Sequence, residues 1–253
     1  MNSSLQSLLQ RGLRFASSAT LLFGISMGSL RAADNTDLKP DGFGLSREAL
    51  VSKYPQIEEG STQPENKKIL CPFHRLLERA GIYDADKKEQ SPLTVSVLKI
   101  TAFAREFGCI IAGCGGVATA VSAGQLTEGT TTQGNVNVES LHTALGIAHD
   151  CGLTFAKGGT EVSDTVRAQT LAALSQRADA DGHLKYSDLE AVKLNICAAQ
   201  GVQNTSAGTI EIGLIYTFLG GNRRGYIDYS DVERLFFAEL PKTIGNPFLP
   251  INK

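Results

Sequence analysis

Two nine-residue stretches of this chain share one pattern. Gly182-His183-Leu184-Lys185-Tyr186-Ser187-Asp188-Leu189-Glu190 matches Gly225-Tyr226-Ile227-Asp228-Tyr229-Ser230-Asp231-Val232-Glu233. Each unit is a glycine turn, one aliphatic anchor and a Ser-x-x-Glu that reads as a capping box at a helix start. The spacing predicts further helices around them. Ser163 can cap one through Val166, Thr170 and Leu174, and the helix after Ser187 puts Leu189, Val192, Ile196 and Ala199 inside. Asn137 can cap a run to about His149, with Val138, Leu141, Leu145 and Ala148 as its stripe. Ser91-Pro92 opens another with Leu93, Val97, Ile100, Ala104 and Phe107 on one face, ended by Gly108. Residues 109–124 are apolar and glycine-rich, suited to a tightly packed core helix or to a lining against a flat ligand. Alternating β patterns are hard to find, so the expected class is all-α.

At 253 residues the chain can hold one full-sized domain or two small ones. A net charge of −2 with no Lys/Arg cluster gives no sign of a nucleic-acid surface. Residues 1–33 read as a signal or targeting peptide. Arg11 and Arg14 precede the apolar run Phe15 to Leu30, and no acidic residue comes before Asp34. Leu30 to Ala33 is a candidate cleavage region, and an uncleaved segment would be an N-terminal anchor. The run is too polar and short for a stable membrane span. The expectation is a secreted or periplasmic protein, although a mitochondrial presequence has the same Arg- and Ser-rich, acid-poor character. Residues 34–66 are polar and read as an extended lead-in to a domain at 67–253. Of five cysteines, either two pairs form disulfides around one reserved thiolate, or none pair and most are small core residues.

Two segments carry candidate chemistry. Glu211 is the one charged residue between Leu194 and Asn222, among Ile210, Ile212, Leu214, Ile215 and Phe218. In such a wall a carboxylate loses hydration, and its pKa is expected to rise unless a partner compensates. A raised carboxyl suits general acid–base work near neutral pH. Around Cys71, Pro72 suits the first helical position. Phe73, Leu76, Leu77 and Ala80 then form an apolar stripe, His74, Arg75, Glu78 and Arg79 a wet face, and Gly81 ends the helix. The helix N-terminus should lower the pKa of Cys71, and a thiolate so placed can ligate a metal.

Four stretches, in order, resemble the haem-thiolate chloroperoxidases and unspecific peroxygenases. Leu70-Cys71-Pro72, with its amphipathic helix and Ala80-Gly81-Ile82, is similar to the family's Pro-Cys-Pro proximal motif. Ile147-Ala148-His149-Asp150-Cys151-Gly152-Leu153-Thr154 is similar to its distal Glu-His-Asp stretch, with Ala148 for the Glu and Gly152 for a following Ser. Ile210-Glu211-Ile212-Gly213 resembles the segment with the distal acid–base Glu, and Val232 to Pro241 the C-terminal Phe-Phe…Glu-Arg-Leu-Pro ending. The resemblance implies a single helical domain binding haem b, with Cys71 as axial ligand followed by Pro72. It also implies Glu211 as proton carrier oriented by His149 and Asp150, with hydrogen peroxide and a small organic molecule as substrates. The family's magnesium or manganese site uses the Glu and Ser that are replaced here, so the resemblance does not carry that ion over.

Other readings of the same residues stand beside it. His149 followed by Asp150 is also a common helix C-terminal cap. Glu139, His142 and His149 would share one stripe of a continuous helix and could hold a metal. The repeat units match EF-hand loops at the glycine, the aliphatic residue two later and the Asp six later, with Asp179 and Asp181 as ligands. Yet Arg177 and Gly220 stand at the first ligand positions, and Arg224 at another. A degenerate calcium-binding protein, or a haem-free fold relative with a binding or structural role, is the alternative.

Overall fold

The computed structural model describes residues 44–45, 47–87, 92–109, 115–144 and 149–244. The expected targeting segment, Cys114, Leu145 and Ala148 lie outside them. The described part is mostly helical, as expected. In chain order it runs α1 (Arg47–Lys53), a 3-10 turn (Pro55–Ile57), α2 (Pro72–Arg79), α3 (Asp84–Lys87), β1 (Thr94–Ser96), α4 (Val97–Glu106) and α5 (Gly116–Thr127). It continues with β2 (Asn135–Asn137), a 3-10 segment (Val138–Thr143), α6 (Asp164–Ser175), β3 (His183–Leu184), α7 (Tyr186–Ala199), α8 (Ser206–Phe218), α9 (Gly221–Arg224), β4 (Ile227–Asp228) and α10 (Tyr229–Phe236). The strands form two small antiparallel ribbons, β1 with β2 and β3 with β4. Among the described residues no helix is long and apolar enough to cross a membrane.

The repeat is a tertiary unit. Leu184 of one copy pairs with Ile227 of the other, and both are fully buried. Each glycine turn takes a positive φ, 82° at Gly182 and 78° at Gly225, which a side chain would disfavour. The capping differs from the expected boxes. Lys185 and Asp228 are the N-caps, two residues before the serines, and the Asp188 carboxylate accepts from the Lys185 N–H at 2.8 Å. An Asp at the third helical position thus does the work assigned to Glu190. The Asp231 carboxylate instead accepts from the Lys242 and Thr243 N–H groups at 2.7 and 3.1 Å, tying down the chain after α10.

Ser163 caps α6 through the Val166 N–H, as its position predicts. Three expectations fail. The helix from Ser91-Pro92 begins only at Val97, because Thr94–Ser96 pair with β2 and Ser96 becomes the cap. The run expected to be α-helical from Asn137 to His149 is a 3-10 segment, broken at Ser140 (φ −119°) and ended at Thr143. Asn137 does cap it, but its stretch is also held by Gln125, whose side chain bonds the backbone N–H and C=O of Asn137 at 2.8 Å each. Residues 34–66 are not simply an extended lead-in, since α1 lies there and Leu50 and Ile57 belong to the main core.

The expected wet face of α2 is buried: Arg75, Glu78 and Arg79 all lie inside. Arg75 is fully enclosed. It donates to the carbonyls of Ile69 (2.8 Å), Leu70 (3.1 Å) and Phe236 (3.0 Å), and its Nε lies 2.6 Å from Glu65. Arg167 reaches both Glu65 oxygens at 2.9 Å and the Phe236 carbonyl at 3.1 Å. Arg79 donates to the carbonyls of Gln63, Ser61 and Phe237. These guanidiniums replace water for carbonyls left open where helices end, and they bolt the start of α2 to the end of α10. Cys71 therefore sits on an anchored helix terminus. Glu65→Leu would leave the fully buried Arg75 without its carboxylate and Arg167 with Asp164 alone, and urea unfolding should show a loss of about 3–5 kcal/mol. A loss under about 1 kcal/mol would mean that the carbonyls alone satisfy Arg75.

Candidate active site

Cys71 is the N-cap of α2, with Pro72 at the first helical position. It is the free cysteine among the described residues. Cys151 and Cys197 are joined, and Cys109 is disulfide-bonded as well. Of the two cysteine patterns, the chain thus follows the one with a reserved thiol. The pKa expectation for that thiol is reversed. Burial pushes it up, and the N–H groups of His74 and Phe73 and the charge of Arg75 offset this only in part. Glu211 adds to the upward push, which places its carboxylate within electrostatic reach of the sulfur.

Glu211 comes from α8, and Phe218 lies two turns further on the same face. The Phe218 ring meets Phe73 of α2 edge-on at 5.4 Å, and Phe73 meets Phe107 at 5.6 Å. These contacts hold the helix of Glu211 against the helix of Cys71. Cys71, Phe73, His74 and Glu211 lie deep in the protein, yet each keeps some accessible surface. With Phe107 and Phe218 they form a partly buried, aromatic-rich cluster. His74 accepts or donates at 2.9 Å to the buried Tyr83 hydroxyl, and burial lowers its pKa to about 4, so its ring is neutral.

Two nitrogen-bearing side chains meet the Glu211 carboxylate. Lys193 of α7, fully buried, donates to its Oε2 and also to the Cys151 carbonyl at 2.6 Å. His149 Nε2 lies 3.6 Å from the same oxygen, and both side chains are 13% exposed. Burial pushes the Glu211 carboxyl up, but Lys193 and then His149 push it further down, to about 2. The raised pKa expected from the apolar sequence does not occur, because the compensating charge arrives from another helix. Sequence reasoning passed over Lys193. Its signal was present: Leu189, Lys193 and Cys197 follow each other at four-residue steps on one face of α7, which puts a lysine on a buried stripe.

The distal stretch is assembled in part. His149 is brought to Glu211, whereas Asp150 is exposed and shows no ion pair with His149 among the described residues. The imidazole instead lies 5.4 Å from the Phe155 ring, tilted by 53°. Gly152 packs against the same ring; a Cβ there would come within 1.9 Å of Phe155 Cε1, so a serine does not fit without moving it.

Glu139, His142 and His149 are not gathered into a metal site, because the helix that would align them is absent. The repeat loops do gather Asp179, Asp181 and His183 within 4.8 Å. There the Asp179 carboxylate is spent on the N–H groups of Asp181 and His183 (3.0 and 2.9 Å). In the same loop Arg177 lies 3.9 Å from Asp188. In the other loop Arg224 bonds Asp228 at 2.7 Å and the Leu219 carbonyl at 3.0 Å. Guanidiniums thus take up carboxylates that calcium would need. A scan against protein-family models gave no match, and neither did searches of curated proteins and of solved structures.

Proposed function

We propose that this protein is a haem-thiolate peroxidase or peroxygenase that uses hydrogen peroxide on small organic substrates. One observation carries the reading: the free, helix-capping Cys71 lies within electrostatic reach of the Glu211 carboxylate, which the His149 imidazole approaches to 3.6 Å, although the three come from distant parts of the chain. The free thiol at a helix start is a donor that haem b would accept. Cys71 would hold its iron, with Pro72 fixing the helix start and the N–H groups of His74 and Phe73 moderating the sulfur's charge. Haem bound through a thiolate supplies the redox chemistry that splits the peroxide O–O bond.

The chain's own part is to move a proton. Glu211, ionised, accepts it at a carboxylate oxygen from one oxygen of hydrogen peroxide and returns it to the other, which leaves as water. At a pKa of about 2 capture is the harder half and return the easier one. His149 orients the carboxylate. Phe73, Phe107 and Phe218 would offer apolar contact to a substrate. The disulfides suit an oxidising compartment, so export, to the periplasm or outside the cell, is part of the reading.

A visible spectrum tests it. Protein produced with haem supplied, reduced and exposed to carbon monoxide, should show the strongly red-shifted Soret band of a thiolate-ligated haem. Cys71→Ala should lose that band while its helical circular dichroism stays near wild type. A band retained in Cys71→Ala would assign the ligand elsewhere, and a colourless wild type would leave a haem-free relative with a binding or structural role.

A further inference from the structure

Lys193 is a basic side chain without access to solvent, and it donates to two groups beside His149. One is Glu211. The other is the carbonyl of Cys151, two residues after His149. Cys151 is covalently joined to Cys197, which lies one turn after Lys193 on the same face of α7. The lysine, the disulfide and the 149–151 stretch therefore close a ring around the carboxylate. A buried lysine costs several kcal/mol unless paired, and nothing in the packing of α7 requires one. A leucine or methionine would fill the stripe between Leu189 and Cys197.

We propose that Lys193 is a positioning residue of this site, which fixes Glu211 as a carboxylate beside His149 and is itself held in place by the Cys151–Cys197 disulfide. This deepens the peroxidase reading and rests on it for its purpose, though not for its geometry. The charged or titratable groups facing Glu211 are Lys193 from α7, His149 from the stretch before Cys151, and Cys71 from the start of α2. Tyr216, the other titratable side chain of α8, packs edge-on against Tyr186. Of these, Lys193 opposes the desolvation of Glu211 most strongly. In the peroxidase, Lys193 makes Glu211 a proton acceptor from the start of each turnover, well into acid.

The test reads the carboxyl directly, in the full chain prepared without haem. Infrared spectra taken between about pH 7 and pH 4 should show no protonated Glu211 in the wild type, since its pKa lies near 2. Lys193→Met should show a protonated carboxylic acid band in that range, and the band should vanish when Glu211→Gln is added. Lys193→Arg keeps the charge and should titrate like the wild type. A Lys193→Met protein whose Glu211 stays ionised across the range overturns the proposal. If Lys193→Met does not fold, Lys193→Arg decides: a protonated band in that variant overturns it equally. With haem, the acid limb of the peroxide-consumption profile should move up in Lys193→Met and return in Lys193→Arg. A chain that binds no haem would fail this last measurement alone, which separates failure of the peroxidase reading from failure of the role given to Lys193.

Discussion

Glu211→Gln should slow hydrogen peroxide consumption by about a hundred- to ten-thousand-fold, the usual range for one positioned acid–base group. Gln keeps the shape of the side chain and its hydrogen bonds but cannot carry the proton. The haem-thiolate spectrum should survive, because Cys71 and the anchored start of α2 are untouched. The same change removes the partner of a fully buried lysine, so it should also cost about 3–5 kcal/mol of stability. Rate and stability must be measured together, by stopped-flow mixing with peroxide on protein shown to be folded. Near-wild-type kinetics would sink the catalytic role. His149→Ala should slow the reaction less, since the imidazole orients and does not carry the proton; the reverse order would move the acid–base role to His149. A pH signature accompanies this. The folded pKa of Glu211, about 2, lies below its ordinary 4.5. Its ionisation therefore stabilises the fold above about pH 4.5, and that contribution is lost as the pH falls toward 2. The acid unfolding curve of Glu211→Gln should lack this component.

Cys197→Ser should produce the other large effect. The disulfide closes a loop of 46 positions, and in the chain-entropy account a loop of that size is worth about 4 kcal/mol. Urea midpoints of the wild type and of Cys197→Ser, both kept oxidised, should differ by a loss of that order. Both cysteines are almost fully buried, so reduction should be slow unless the protein opens. A loss near zero would show that the fold around α7 is set by packing alone. Because Cys151 also accepts from Lys193, the same variant should loosen Glu211 and lower peroxide turnover beyond what the unfolded fraction explains.

Much of this architecture is written locally. The start of α2 follows from Cys71-Pro72 and its end from Gly81, at φ 78°. Ser163 caps α6, and the two glycine turns of the repeat carry φ values that glycine accepts readily. Such features depend on residues within about one turn of each other, so a single sequence determines them. The cysteine pattern narrowed to two alternatives for the same kind of reason.

The rest depended on contacts across the chain. Nothing near Arg75 in sequence says that Glu65, Arg167 and the Phe236 carbonyl will meet it, so a face that reads as wet is buried. The short ribbon of β1 with β2 converts the beginning of an expected helix into a strand, because pairing with residues 135–137 outweighs local preference. Glu211 shows the limit most clearly. Its apolar neighbours determine that it is desolvated, which alone would raise its pKa. Only the packing of α7 on α8 brings Lys193 to it, and one charge at hydrogen-bond distance in a buried site outweighs the desolvation of the carboxylate.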